Sequence, residues 1–313
     1  MATTNKAAYA AAHFALELDG KDQVGLFRSI EGGGVKADVM TYQNGPNYDR
    51  WRQLGKPKFE DIKLQVGMSM SQPFYDWIAD FFDGVATRKT GAIVAADFYY
   101  NERARRNFKE GMIKELGFPK LDAADKGAAY MTVAISVEDI EFLKGSGKKL
   151  DVPKGFDSQK LWTACNFSFK LDDYADACAR VTKVDAFTVK QNVAEYHAGG
   201  FKAAIKTPTA MEYPNLVFYV PEADAQPFFD HQATRVGYGG KGNGEVRPGA
   251  KMHGQIDTYD NEGRTLFTLE YFGADIASVT PDRSDASSEE VKQVKVELYT
   301  EKMQFSYPAM ELE

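Results

Sequence analysis

The chain is poor in the residues that most often carry chemistry: two cysteines, four histidines and three tryptophans in 313 residues. Cys165 and Cys178 have no CxxC spacing and are too few for a disulfide scaffold, which fits synthesis and assembly in the reducing cytoplasm. The histidines, His13, His197, His231 and His253, are scattered and show no HExxH or similar ligand spacing, so no metal site is expected. A GxSxG nucleophile elbow is lacking as well. Every uncharged apolar run is too short to span a bilayer, so no membrane insertion is expected. Met1 to His13 offers neither an apolar h-region nor a clear cleavage site and is read as no secretory signal. Excess positive charge is missing too: the net charge is −7. Residues 1–150 carry 21 basic and 20 acidic side chains, leaving 17 basic and 25 acidic for the remainder. Neither half has the domain pI above about 9 of a polybasic footprint, which excludes strong duplex binding and sequence-specific nucleic-acid recognition.

What is present is an ordinary globular balance, 43% hydrophobic and 27% charged, in a chain long enough for two domains. It also contains an internal repeat, the feature to settle before any other. Gln72-Pro73-Phe74-Tyr75-Asp76 recurs as Gln226-Pro227-Phe228-Phe229-Asp230, an offset of 154 residues. The same offset carries Val35-Lys36 onto Val189-Lys190, Val39 onto Val193, Tyr42 onto Tyr196, Gly45 onto Gly199 and Val66 onto Val220. Ten positions between 35 and 76 are identical without a gap. Nearer the end of each copy, Val133, Ile135, Ile140 and Phe142 parallel Val296, Leu298, Met303 and Phe305, and the offset has grown to 163. The additional residues of the second copy are placed in the Gly-rich stretch Gly237 to Gly249. The expected domains are therefore 1–150 and 151–313, joined near Gly145 to Ser158, a stretch rich in Gly, Lys and Pro.

Within a copy the signals are mainly β. Phe14, Leu16 and Leu18 alternate with Ala15 and Glu17, and Val294, Val296 and Leu298 with Lys295 and Glu297, the period of strands with one buried face. One helix stands out in copy one: Ser71 as N-cap, Pro73 in the first turn, apolar Phe74, Trp77, Ile78 and Phe81 on one face, and Gly84 as the stop. Copy two places His231 where Trp77 stands, so its helix is expected to be shorter or less buried. The fold class expected is mainly β: two tandem barrel or sandwich domains, each with one short flanking helix.

The strings that resemble chemical motifs do not hold together. Gly237-Tyr238-Gly239-Gly240-Lys241-Gly242 satisfies GxGxxG, but it follows a proposed helix instead of a strand and leads into a poor helix start, so a loop is expected. Cys165, beside Trp162 and Phe167, reads as a small core residue. The basic run Arg103, Arg105, Arg106 and Lys109 is either a solvated strand end or a docking surface for an acidic partner. Asp282 to Glu290 reads as an exposed acidic loop. No catalytic, cofactor-binding or metal-ligating residue is assigned, and no enzyme activity is expected.

Pro57-Lys58-Phe59-Glu60-Asp61-Ile62-Lys63-Leu64-Gln65-Val66-Gly67, followed by Phe74-Tyr75-Asp76-Trp77, resembles the phage tail-tube protein family, which is shared with the inner tubes of contractile injection systems. Ile256 to Arg264, Asp285 to Glu290 and the closing pair of strands resemble it again in copy two. The resemblance implies a β-barrel with a flanking helix, six of which close a ring by sheet continuation, and rings that stack into a hollow tube. Glu31 to Lys56 and Asp185 to Ala210 then occupy the place of a long loop that reaches the adjacent ring. Family members of single-domain type are about half this length, so three two-domain chains would make a pseudo-sixfold ring. The implied partners are further copies of the chain and sheath and baseplate proteins, in a virion tail or injection particle. Gly67 and Trp77 become Pro221 and His231 in copy two, which puts the equivalence of the copies in question. Other readings are a baseplate hub or tube initiator, and, from another class, a β-sandwich ligand-binding module or an enzyme using the Gly237–Gly249 loop.

Overall fold

The computed structural model describes residues 13–20, 24–43, 45, 50–68, 70–150, 162–200, 203–239, 251–282 and 291–308. Copy one runs β1 (His13–Leu18), β2 (Gly25–Phe27), β3 (Ser29–Gly32), β4 (Val35–Gln43), β5 (Arg50–Phe59), β6 (Ile62–Val66), α1 (Gln72–Phe82), β7 (Lys89–Ala96), β8 (Glu102–Phe118), β9 (Leu121–Asp122), β10 (Met131–Ser136) and β11 (Asp139–Lys144). Copy two runs β12 (Phe167–Leu171), α2 (Ala175–Cys178), β13 (Lys183–Val184), β14 (Phe187–Tyr196), β15 (Ile205–Glu212), β16 (Leu216–Pro221), α3 (Gln226–Val236), β17 (Met252–Tyr259), β18 (Thr265–Pro281), β19 (Gln293–Tyr299) and β20 (Lys302–Ser306). The fold is mainly β, in two tandem domains, as expected.

Strand order is the same in both: β1-β7-β8-β10-β6-β3 in copy one and β12-β17-β18-β19-β16-β13 in copy two. Register matches residue by residue. Ile30 faces Leu64 and Val133 faces both Leu64 and Leu116, just as Val184 faces Phe218 and Val296 faces Phe218 and Val279. Ile93 and Phe142 flank Arg106, as Ile256 and Phe305 flank Leu269. The offset is 153 in β1, 154 from β3 through α1 and 163 from β7 onward. It changes between α3 and β17, where residues 237–251 replace the shorter connection 83–88. That is the Gly-rich stretch singled out in the sequence; residues 240–250 lie outside the described ones, as do 151–158 of the expected link and 283–290 of the acidic loop.

Period-2 burial builds the sheets. β6 buries Ile62, Leu64 and Val66 and exposes Lys63 and Gln65. β8 and β18 are each 17 residues long and serve two sets of neighbours, one per half. A glycine sits against an aromatic at the same place in both copies. A Cβ on Gly91 would meet the Glu17 carbonyl and the Phe108 ring, and one on Gly254 the Lys170 carbonyl and Tyr271.

The helices differ as their sequences do. α1 buries Phe74, Tyr75, Trp77, Ile78, Phe81 and Phe82 and stops before Gly84, whose φ of +72° suits glycine. Ser71 takes the N-cap position, but its side chain makes no capping bond and its Oγ is buried without a partner. α3 has the same 11 residues yet buries only Phe228 and Ala233, so it is less buried and not shorter. Copy two also gains the four-residue α2 and a 3-10 turn at Glu222–Asp224, beyond the one helix expected.

Candidate functional site

The two copies are joined by sheet continuation. Phe187, Thr188, Val189 and Lys190 of β14 pair with Phe118, Gly117, Leu116 and Glu115 of β8, and β13 pairs with β9. An aromatic seam closes the junction: Phe118 stacks on Phe187 at 4.9 Å, and Phe82 of α1 stacks on Phe305 of β20 at 6.0 Å. Most buried apolar residues of both copies thus form one continuous cluster, with a smaller one of Ala15, Ala92, Val94, Ala96 and Leu150 in copy one. Every ladder partner that β14 lends to β8 would otherwise be an unpaired edge group, costly if buried and sticky if exposed.

A polar cluster fixes the junction's register. Arg88 Nη1 lies 2.8 Å from Glu138 Oε1, which accepts the Lys206 backbone N–H at 2.7 Å, while the Arg88 guanidinium also donates to the Lys206 carbonyl. This ion pair therefore grips both backbone groups of one residue on β15. The Lys206 ammonium is buried, donating to Ser136 Oγ at 3.0 Å and lying 3.7 Å from Asp61 Oδ1. Lys114 donates to Asp61 Oδ2 at 2.7 Å. Burial pushes the Asp61 carboxyl up, but hydrogen bonds from Lys114 and Ser136 outweigh it and hold the group below the usual carboxylate range. The same contact raises Lys114. A cleft of about 530 Å³ beside the cluster, between the β4–β5 and β14–β15 hairpins, is lined by side chains of both signs, Glu31, Lys63 and Glu195 among them.

The counterparts of these junction residues reappear, uncovered, on the two outer sides of the chain. Val189 is 0% exposed, but its equivalent Val35 on β4 is 46% exposed; Phe305 is 6% exposed and its equivalent Phe142 on β11 is 56% exposed. On the opposite side, Phe82 is 2% exposed and its equivalent Val236 on α3 is 66% exposed. β4 pairs only with β5 among the described strands, whereas β14 pairs with both β15 and β8. Large apolar side chains left open where their counterparts are buried at a junction are of the kind that marks a contact surface.

The residues singled out in the sequence fall elsewhere. The Glu31–Lys56 and Asp185–Ala210 segments are not loops but long hairpins, β4–β5 and β14–β15, because their backbone groups pair with each other across alternating side chains. The basic run lies inside β8, and three of its four cations have acidic partners within the chain. Arg103 pairs with Asp97, Arg105 with Glu17 and Glu102, and Lys109 with Asp139, while Arg106 donates to the Gly32 carbonyl. Cys165 is half-buried near Thr163 and Asn166 instead of in the core; Cys178 is the buried one, its thiol pushed up to about 12 by burial. Gly237 caps α3 with φ +80°, and the rest of the GxGxxG string from Gly240 on lies outside the described residues. His13 stacks on Tyr100 and His253 lies against Phe272. His231 is the one histidine in a network: Tyr174 and Asp275 bracket its ring at 2.7 and 2.8 Å, and Arg235 joins it on Asp275. In the sequence this network shows only as the i, i+4 spacing of His231 and Arg235. Among the described residues no group of His, Cys, Asp or Glu is placed to hold a metal ion, and no helix is long and apolar enough to cross a membrane.

Residues 10–141 and 163–304 each match the family described as T4-like virus tail tube protein gp19. Solved structures with a similar arrangement include a chain of the PVC extracellular contractile injection system sheath-tube complex in its extended state. It is 16% identical, covering 46% of this chain and 99% of that one, with a TM-score of 0.40. Another is the anti-feeding prophage cap, a tube-terminating cap, at 18% identity, 46% and 100% coverage and a TM-score of 0.39. No curated protein matches the chain.

Proposed function

The chain belongs to the T4-like virus tail tube protein family, twice over, and from that premise we propose that three copies close a six-domain ring that stacks into a hollow tube. The role is structural, without catalysis, and the sheath and baseplate of the same particle are its further partners. The two domains divide at 150/151.

One observation carries this reading: the junction between copies has a free half on each outer side. If copy two of one chain meets copy one of the next as copy one meets copy two inside the chain, Val35 and Lys36 fall opposite Val279 and Ser278. Phe142 then covers Val236. Such a head-to-tail contact is heterologous, and a sixfold arrangement of domains closes it into a ring. The copies are not identical. Copy one ends its β7–β8 turn in exposed Phe98 and Tyr99, where copy two has Asn261 and Glu262, so the ring would present a threefold pattern. A hub or initiator that matches a threefold partner to a sixfold tube would use such a pattern, and it is the second reading.

Negative-stain electron microscopy of the purified chain separates these. Stacked hollow tubes are expected. Single rings that never stack would move the chain to the hub role, and a monomer at every concentration would contradict ring formation altogether.

A further inference from the structure

Resting on that ring reading, we propose that the surface ion pair Lys251–Glu301 is a second, vacant copy of the Arg88–Glu138 clamp, and that it grips the backbone of Arg52 on β5 of a neighbouring chain. The correspondence is positional. The offset of 163 carries Arg88 onto Lys251 and Glu138 onto Glu301. The Glu301 N–H donates to the Phe272 carbonyl at 3.0 Å, as the Glu138 N–H donates to the Lys109 carbonyl at 3.2 Å. Lys251 and Glu301 form an ion pair, as Arg88 and Glu138 do. Lys206, whose backbone the first clamp holds, maps onto Arg52 at the offset of 154. Arg52 stands exposed on β5, in the hairpin of copy one whose strand β4 has no partner but β5 among the described strands.

The seat around the vacant clamp is rebuilt for a guanidinium. Ser136, which receives the Lys206 ammonium, becomes Tyr299, 38% exposed in the single chain. Asp61 becomes Asn215, whose amide donates to Glu297 Oε1 at 2.7 Å. Lys114, the second ammonium on Asp61, becomes Ala277, which removes a competing cation and leaves room. An incoming Arg52 thus meets an aromatic face and the Glu297 carboxylate, partners that suit a planar, weakly hydrated cation better than a lysine. The aromatic stack of the first junction is absent here, since Phe187 and Phe118 become Gly33 and Pro281. With less apolar area to bury, the contact between chains depends more on the clamp and is the more salt-sensitive of the two junctions.

Two single-cysteine chains, Arg52→Cys and Glu301→Cys, each made with Cys165 and Cys178 replaced by Ser, test this when mixed and treated with a short bifunctional thiol reagent. Dimers linked between Arg52→Cys and Glu301→Cys are expected in the mixture and not in either variant alone. Rings that form without that crosslink would overturn the clamp and leave the ring standing; a natural chain that stays monomeric at every concentration would overturn both. As a second measurement, Glu301→Ala in the otherwise natural chain is expected to weaken chain–chain association about tenfold, the loss of a charge-assisted backbone bond, with unchanged thermal unfolding of the monomer. Unaltered association would count against the clamp.

Discussion

Between α3 and β18 the carboxylate of Asp275 accepts hydrogen bonds from His231 at 2.8 Å, Arg235 at 3.0 Å and the Ile276 amide at 2.8 Å. The three equivalent side chains of copy one, Met112, Trp77 and Phe81, are all buried and apolar. One copy therefore fixes its helix by packing and the other by a polar network. Burial pushes the Asp275 carboxyl up, but Arg235 and His231 outweigh it and leave it below the ordinary carboxylate value. A group whose pKa is lowered on folding stabilises the fold above its unfolded pKa and stops doing so as pH falls through its folded one. Asp275→Asn is thus expected to cost about 2 kcal/mol near neutral pH, and less at acidic pH once the folded-state carboxyl is protonated. Urea unfolding of both chains at the two pH values checks it; an equal loss at both would mean the effect is steric. The sequence shows His231 and Arg235 one helical turn apart, but Asp275 stands 40 residues farther along, and no local pattern brings it to them.

α1 and α3 have equal length and nearly the same opening residues, yet only α1 has a full apolar underside. In the single chain α3 leaves Val236 uncovered. Amide hydrogen exchange is expected to be faster in α3 than in α1 before assembly and to slow in α3 alone when rings form. Slowing of both, or of neither, would mean that α3 does not meet β11 of a neighbour. Among the strands, β7 and β17 each depend on a glycine where a Cβ would collide with backbone. Gly91→Ala and Gly254→Ala are each expected to cost about 1–3 kcal/mol in thermal unfolding, whereas Gly199→Ala, with open space around it, should be nearly neutral. A neutral Gly91→Ala would show that β1 and β7 can separate freely. The element level was the most legible in the sequence. The alternation of Phe14, Leu16 and Leu18 and the spacing of Phe74, Trp77 and Phe81 sit on the elements they implied. The β4–β5 hairpin is not legible in the sequence because β4 exposes nearly all its side chains in the single chain, so no buried face imprints a period of two; β14 does alternate over Phe187, Val189 and Gln191, but only for its first half.

For the whole molecule, the duplication was legible because both copies keep their pairing residues in one register: Val133 between Leu64 and Leu116, Val296 between Phe218 and Val279. The junction was not. Its clamp is made of Arg88, Glu138 and Lys206, three unremarkable charges far apart in sequence, and its free half shows only as Val35, Phe142 and Val236 lying open where their equivalents are covered. In the proposed ring the outer junction has Gly33 and Pro281 where the internal one has its Phe118–Phe187 stack, so the internal junction is expected to be permanent and the outer one to form on assembly. Folding and assembly are thereby separable, and low salt should favour rings more than it stabilises the single chain. Sedimentation at increasing salt would read this as rings dissociating while unfolding midpoints stay put.

The count of chains in one ring tests the account most directly. Cryo-electron microscopy of assembled rings, reconstructed without imposed symmetry and paired with their mass, should give six domain lobes from three chains of 34.8 kDa, with threefold symmetry and alternating junctions. Six chains per ring, or junctions in which copy one meets copy one, would contradict it.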